Sequence, residues 1–383
     1  MELSREQLRQ IRRQDRQREG KRFRAVLLAT ILIFVFCLCF RYNAYYYPDK
    51  FVPVEYFRSY ITSLRLLFAR VTDAPLWYKR TEIIDSLDSI IYYGAQARLR
   101  ITLVSFVAGA ALSLSGAIFQ TAYRNPMASP NIIGASAGVG LGNVMVVMAC
   151  STAAMENIFL RYEYCYGFTV VCVGLVLLLG RLSSRGNGNY SVLEMVMAGS
   201  VISQIVRVFT MYFMYEMEDA DLVLYEQISL GTYLQTDKYS MIIFFTVMAL
   251  AIIPVWLLRY RLNALSMDRM EANSLGISPG GLRIVAQLCG VLMVTCSMIH
   301  CGEIGMVSLV IPYVLRRRIG CDFRYLCRYC ILIGGSLLML CRLVTSFIYI
   351  QEAPIPVTFI IETALIPAFL IVLATYNRRA NEA

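Results

Sequence analysis

The chain has 383 residues, 58% hydrophobic and only 16% charged, with a net charge of +10 and a mean hydropathy of +0.57. Soluble domains carry about 25% charged residues, so this composition excludes an ordinary soluble enzyme and predicts a polytopic membrane protein. The positive charge is not a nucleic-acid footprint: Arg5, Arg9, Arg12, Arg13, Arg16, Arg18, Lys21, Arg22 and Arg24 crowd into a tail before the first apolar run, where basic residues set topology.

Apolar stretches near the ~20 residues that cross a ~30 Å hydrocarbon core recur along the whole chain. They predict ten spans, at 25–41, 99–121, 132–150, 164–181, 191–213, 239–258, 281–299, 303–316, 328–349 and 357–375. The first is followed by "FCLCFRYNAYYYPDK", which offers no small-residue cleavage site, so it reads as a retained anchor after a basic tail (1–24). Residues 42–98 then form a long outer segment. Within it, "VEYFRSYITSLRLLFAR" (54–70) puts Phe57, Ile61, Leu64 and Phe68 on one helical face, the pattern of a helix lying on the membrane surface.

Between the second and third spans stands "QTAYRNPMASPNIIGASAGVG" (120–140). Asn125-Pro126 and Ser129-Pro130 each disfavour helix before the proline, so the turn is enforced twice. Gly134, Gly138 and Gly140 then allow close helix approach, as small residues do in membranes.

Loop charges fix the sidedness. With the N-terminus inside, the inner connections hold Arg124; Arg181 and Arg185; Arg259, Arg261 and Arg269; Arg316, Arg317, Arg318 and Arg324; and Arg378 and Arg379. The outer loop 214–237 is acidic without Lys or Arg, and the turns 300–303 and 351–356 have neither. Ten spans with both termini cytoplasmic satisfy the positive-inside rule. The expected organisation is one transmembrane domain (25–377), an inner loop at 260–280 and a short tail (378–383).

Catalytic chemistry is missing. The single histidine, His300, falls in an outer turn and reads as a surface residue; no H-E-x-x-H is possible. No P-loop sequence occurs, and "SSRGNGNYS" (183–191) lacks the lysine. Of twelve cysteines, Cys327 and Cys330 form a C-x-x-C beside Cys321, but no second pair or histidine completes a zinc site, so packing is expected and no metal. Ionisable residues at membrane depth are Glu194, Arg207, Arg342 and Glu362, and such charges are functional candidates. They leave open an ion-coupled secondary transporter that needs no ATPase and depends on Glu194 or Glu362.

The wording of 109–142, "GAALSLSGAIFQTAYRNPMASPNIIGASAGVGLG", closely resembles membrane permeases of ABC importers for iron–siderophore complexes, haem and cobalamin, the FecCD type. Gly109, Ser115, Gly116, Gln120, Asn125, Pro126, Ala128, Pro130 and Gly134 match the family pattern. "VMAGSVIS" (196–203), "LNALSMDRMEANSLGIS" (262–278) and "CGEIGMVSLVIPYVLRRRIGCDFR" (301–324) are similar to three further family segments, in the same order. Departures are Tyr313 where the family has histidine, "MVSL" before it, Arg100 for a displaced second outer arginine, Arg342 in place of an acid, Ser346 in place of an arginine, and a closing "LIPAF".

The resemblance implies an all-α type II ABC importer permease fold of about ten transmembrane helices in a bacterial plasma (inner) membrane. It implies a second permease copy or paralogue, two ATP-binding subunits below and a substrate-binding (lipo)protein above. No cofactor is implied on this chain, ATP and Mg residing on the partner ATPase. The turn holding Asn125, Pro126 and Met127, with Ser191 from the 189–192 turn, would be the cytoplasmic gate. Leu265, Asp268, Glu271, Ala272, Leu275 and Gly276, in a loop holding a short "SMDRMEANSLG" helix that ends at Gly276, would couple to the ATPase, and Arg98 and Arg100 would dock the binding protein.

Overall fold

Every one of the ten predicted spans contains a helix in the computed structural model, which describes residues 5–39, 59–62, 89–150, 157–183, 192–231, 238–267, 269–274, 276–350 and 353–381. In chain order the helices are α1 (Arg5–Cys39), α2 (Ser89–Ala122), α3 (Ala135–Cys150), α4 (Ile158–Ser183), α5 (Val192–Glu216), α6 (Asp219–Ser229), α7 (Lys238–Leu258), α8 (Arg269–Ser274), α9 (Pro279–Cys301), α10 (Met306–Ile319), α11 (Phe323–Thr345) and α12 (Val357–Asn381). Two 3-10 turns precede α3 and α8, at Pro130–Ile133 and Arg261–Ser266. A two-residue hairpin, Tyr349–Ile350 against Ala353–Pro354, joins α11 to α12.

Among the described residues six helices, α2, α4, α5, α7, α9 and α11, are long and apolar enough to cross a bilayer, and two shorter apolar ones, α3 and the stretch Val357–Ile371 of α12, accompany them. The remaining two predicted spans differ for physical reasons. α1 continues the basic tail into the first apolar run as one unbroken helix, so tail and anchor are not separate pieces. α10 has only 14 residues and ends in Arg316, Arg317 and Arg318. α6 was not among the predicted elements. It folds within the acidic connection between α5 and α7, where Asp219 and Asp221 in its first turn suit the positive end of the helix dipole.

α4 begins six residues before its predicted span because Arg161, which the sequence pattern leaves in a loop, is buried. Its Nη2 donates to the Ile299 carbonyl at 2.7 Å, replacing the water that the guanidinium would otherwise require. Of the outer segment 42–98, only residues 59–62 and the start of α2 are described; the 59–62 turn is helical, and Tyr60 Oη donates to the Leu38 carbonyl at the end of α1 at 3.1 Å.

α2 is the central helix: 78% of its span is buried, against 17% for α5 and 22% for α7 at the periphery. Glycine makes that crowding possible. A Cβ on Gly109 would sit 2.3 Å from the Gly334 carbonyl oxygen of α11, and one on Gly116 would sit 1.6 Å from the Ser308 oxygen of α10. In α3, Gly138 and Gly142 meet the α4 backbone in the same manner, each with a Cβ position 2.5 Å from it, at Thr169 and Cys165. Lipid supplies no hydrophobic drive between helices, so such close backbone packing is what holds them. Cys327 and Cys330 are buried in the same core, facing α2 and its neighbours, as packing residues.

Candidate functional site

The connections gather at two ends of the bundle, and the basic end brings the predicted gate and coupling segments together. The 123–134 turn is shaped by its own polar groups. Asn125 Oδ1 accepts from the Met127 amide at 2.9 Å, and the Ala128 amide donates to the Asn125 carbonyl at 3.1 Å. Arg124 takes a left-handed backbone, φ 52°, which redirects the chain out of α2. Pro126 and Met127 are exposed, Asn125 is half-buried, and Ala128 to Pro130 are buried. The turn is thus rigid at its base and open at its tip. Ser191, the fourth predicted gate residue, lies outside the described residues.

The predicted coupling loop contains the expected short helix. α8 ends before Gly276, whose φ of 71° and amide bond to the Asn273 carbonyl terminate it. Ala272 and Leu265 are buried against the bundle, while Glu271 is exposed. Asp268 and Leu275 lie outside the described residues.

What the sequence pattern missed is how firmly this loop is tied to the rest. Arg124 Nε donates to the Leu265 carbonyl at 2.9 Å and its Nη2 to the Met267 carbonyl, so the 123–134 turn grips the segment leading into α8. From the other side, Asn263 Nδ2 donates to Asp322 Oδ1 at 2.9 Å, and Asn263 Oδ1 accepts the Phe323 amide at 2.7 Å. Asp322 also caps α11 by accepting from the Arg324 amide. Partial burial raises the Asp322 carboxyl, but hydrogen bonds from Arg324 and Asn263 outweigh it and hold the group below the usual carboxylate range. A third knot ties α10 to α2. Arg316 donates to Gln120 Oε1 and to the Ala117 carbonyl, both at 3.0 Å, and to Thr121 Oγ1, while Gln120 Nε2 donates to the Leu309 carbonyl at 3.1 Å.

At the opposite end the packing is equally polar. Arg342 Nη1 donates to the Gly231 carbonyl at 2.6 Å, Thr358 Oγ1 to the Leu230 carbonyl at 3.0 Å, and the Glu303 amide to the Ser229 carbonyl at 2.9 Å. Arg342 therefore secures the connection that follows α6. Ser346 hydroxyl turns back on its own helix, donating to the Leu343 carbonyl. Tyr313 is buried edge-on against the Phe369 ring, with Arg317 over its face.

His300 corrects the expectation of a surface residue. It is only 2% exposed, its Nε2 is 2.9 Å from Tyr162 Oη, and its ring stands between those of Tyr162 and Phe244. The reason is that α9 runs on to Cys301, so His300 points from the last helical turn into the bundle. Arg98 is buried, donating from Nη1 to the Leu38 carbonyl at 3.3 Å, and Arg100 is half-buried beside Gln96.

One face of α5 is the least like its surroundings. Ser200, Gln204 and Arg207 recur at helical spacing on a helix whose outward side is otherwise Met197, Val201, Val208 and Met211, and all are exposed. Glu303 and Glu362 lie within electrostatic reach of one another, with Arg207 nearby; the Glu303 Oε1 rests where a Cβ on Gly140 of α3 would come within 2.8 Å. Arg207 and Glu362 were legible as membrane-depth charges. Glu303 was hidden in a turn, though the 200/204/207 polar period could have exposed the stripe. The Glu194 side chain is outside the described residues.

Comparison with known proteins agrees in one direction. The model of the FecCD transport family matches residues 63–375. A permease protein of an iron chelatin transport system of Helicobacter pylori (strain ATCC 700392 / 26695) is 30% identical over 281 residues, covering 73% of this chain and 81% of that protein. The hemin transport system permease protein of Yersinia pestis is 26% identical over 284 residues, covering 74% and 83%. The same fold is seen in the inward-facing structure of an ABC transporter described as of the metal-chelate type, with a TM-score of 0.70 and 22% identity over 93% of this chain and 99% of that one.

Proposed function

The chain belongs to the FecCD transport family, and from that premise we propose that it is the membrane-spanning permease of an ATP-driven importer that passes a metal chelate, such as a siderophore complex or haem, across a bacterial plasma membrane. Its N- and C-terminal ends lie in the cytoplasm in this reading, as the loop charges require. ATP is hydrolysed on separate subunits, and a binding protein delivers the cargo at the outer end.

The observation that carries the path is the polar stripe of α5. Arg207, Gln204 and Ser200 are exposed at membrane depth, where a charge against lipid is costly by about 2.5–3.5 kcal/mol or more. A stripe so placed belongs against water or a second subunit, and a path between two permease copies supplies both. α12 carries Glu362 beside the exposed Phe359, Ile366 and Leu370.

In this reading the 123–134 turn, with Asn125, Pro126 and Met127 at its tip and Ser191 as its expected partner, closes the inner end. The coupling loop, with Leu265, Asp268, Glu271, Ala272, Leu275 and Gly276, sits on the ATPase, and the Arg124 and Asn263 ties carry its movement to the gate and to α11. Such a chain of rigid contacts is how a small shift at one site becomes a helix movement at another. Docking of the binding protein falls to Arg100 more than to Arg98, whose guanidinium is committed to α1.

The test is gentle extraction of the tagged chain from its native membrane and identification of its companions. A nucleotide-binding ATPase in near-equal amount is the expected result, and a lipoprotein with bound ligand would name the cargo. If no ATPase accompanies the chain and uptake persists without ATP, the importer reading fails, and Glu194 and Glu362 become the residues to alter.

A further inference from the structure

A second site lies far from the path, where α1 meets α11. The two helices run side by side with contacts at heptad spacing along α1: Phe23 meets Tyr329 edge-on at 6.0 Å, Thr30 Oγ1 accepts from Ser336 Oγ at 3.1 Å, and Cys37 donates to the Met339 carbonyl. At the basic end the helices part and leave a cavity of about 330 Å³ lined by Glu19, Gly20, Phe23, Tyr325, Arg328 and Tyr329. That volume is at the lower end of small-ligand sites, roughly 300–1,000 Å³.

Two groups in this cavity lack what their chemistry requires. The Tyr329 side chain is only 4% exposed, yet its hydroxyl has no hydrogen-bond partner among the described residues. Glu19 Oε2 is buried without a partner as well, while Oε1 stands 3.8 Å from Arg22 Nη1. Unsatisfied buried polar atoms are uncommon, because each loses its water for nothing in return. The two needs are opposite: the hydroxyl can donate to an anion, and the carboxylate oxygen calls for a donor. Arg328, whose guanidinium lies 5.9 Å from the Phe23 ring, adds a positive charge at the wall. Phe23, Tyr325 and Tyr329 supply aromatic faces that attract an ammonium group.

The depth of the cavity tells which molecule brings both charges. It sits where the basic tail of α1 gives way to apolar sequence and in the first two turns of α11, the level of lipid headgroups. Along α1 from Gly20, on the same flank, Leu27 and Ile31 are exposed, a track on which acyl chains would lie. We propose that this cavity is a binding site for the headgroup of an amine-bearing phospholipid of the phosphatidylethanolamine class, its phosphate held by the Tyr329 hydroxyl and Arg328 and its ammonium by Glu19 and the surrounding rings. The lipid would pin the basic end of α1 against α11, the helix whose start is tied through Asp322 and Asn263 to the coupling loop.

The experiment is native mass spectrometry of the full-length chain in detergent, offered equimolar phosphatidylethanolamine, phosphatidylglycerol and phosphatidylcholine with matched acyl chains. Phosphatidylethanolamine should be retained preferentially. Tyr329→Phe, which keeps the ring on Phe23, and Glu19→Gln, which keeps the volume, should each weaken its retention about tenfold, the worth of one hydrogen bond to a charged group. Thermal unfolding of both variants without lipid serves as the check on folding. Retention of phosphatidylethanolamine no greater than that of phosphatidylglycerol, or equal in wild type and both variants, would overturn the assignment. Soluble phosphoethanolamine should compete only weakly; if it binds as tightly as the lipid, the site serves a free phosphorylated amine and the membrane assignment falls.

Discussion

Replacing Arg124 by alanine removes both hydrogen bonds between the 123–134 turn, the proposed gate, and the segment leading into α8. Each comes from a charged donor to a backbone carbonyl, a class that contributes about 1.5–3 kcal/mol when buried, and less at an exposed position such as this. Discounting for exposure leaves about 1–3 kcal/mol for the pair, which as a coupling free energy corresponds to about 5- to 150-fold. Local structure around Asn125 should survive, since its turn is held by its own side chain. The chain, reconstituted with its ATPase in proteoliposomes, should then hydrolyse ATP at a near-normal rate while moving fewer cargo molecules per ATP. Arg124→Lys should lie between, because one ammonium reaches one carbonyl well and the second poorly. An unchanged ratio of transport to hydrolysis in Arg124→Ala would refute the idea that this contact transmits movement, whatever the effect on stability.

Further outcomes follow from the packing. Gly116→Ala puts a methyl 1.6 Å from the Ser308 oxygen, so the α2–α10 contact must open; the loss should reach at least about 1–3 kcal/mol, seen as a lowered melting temperature in detergent. Asp322 has a carboxyl held low in the folded chain, so its contribution is present above about pH 4, its unfolded value, and disappears as the pH falls through the folded one. Thermal unfolding between pH 6 and pH 3 should therefore show an acid loss that Asp322→Asn lacks. Tyr162→Phe leaves His300 Nε2 without its 2.9 Å partner and should cost about 1–3 kcal/mol, whereas a surface histidine would make the substitution neutral. Arg207→Leu should fold and insert normally but reduce uptake, and undiminished uptake would remove the α5 stripe from the path.

Residue by residue, the limits of sequence reading have physical causes. The ten spans were legible because length and hydropathy act locally: each helix must satisfy its own backbone in lipid. α8 and its stop at Gly276 were legible for the same reason, since a left-handed terminus favours glycine wherever the helix packs. The 123–134 turn announced itself through Asn125-Pro126 and Ser129-Pro130. His300 was misplaced because burial depends on one extra helical turn, which periodicity fixes only to within a few residues. Arg161 was assigned to a loop because a charge ends an apolar run, and nothing local reveals that the Ile299 carbonyl waits 138 positions away.

Arg98 shows the same division. Its place before the second span was readable, and its commitment to Leu38 at the end of α1 was not. By itself the amino-acid sequence determined the solvent, the places of the apolar helices, and the family to which the chain belongs, because these rest on composition, hydropathy and motifs of neighbouring residues. Only the tertiary structure decided which glycines let helices touch, that Arg124 and Asn263 grip one loop from two sides, and that Tyr329 and Glu19 share a cavity. Those facts are distances between residues far apart in the chain, and distances of that kind exist only once the helices have packed.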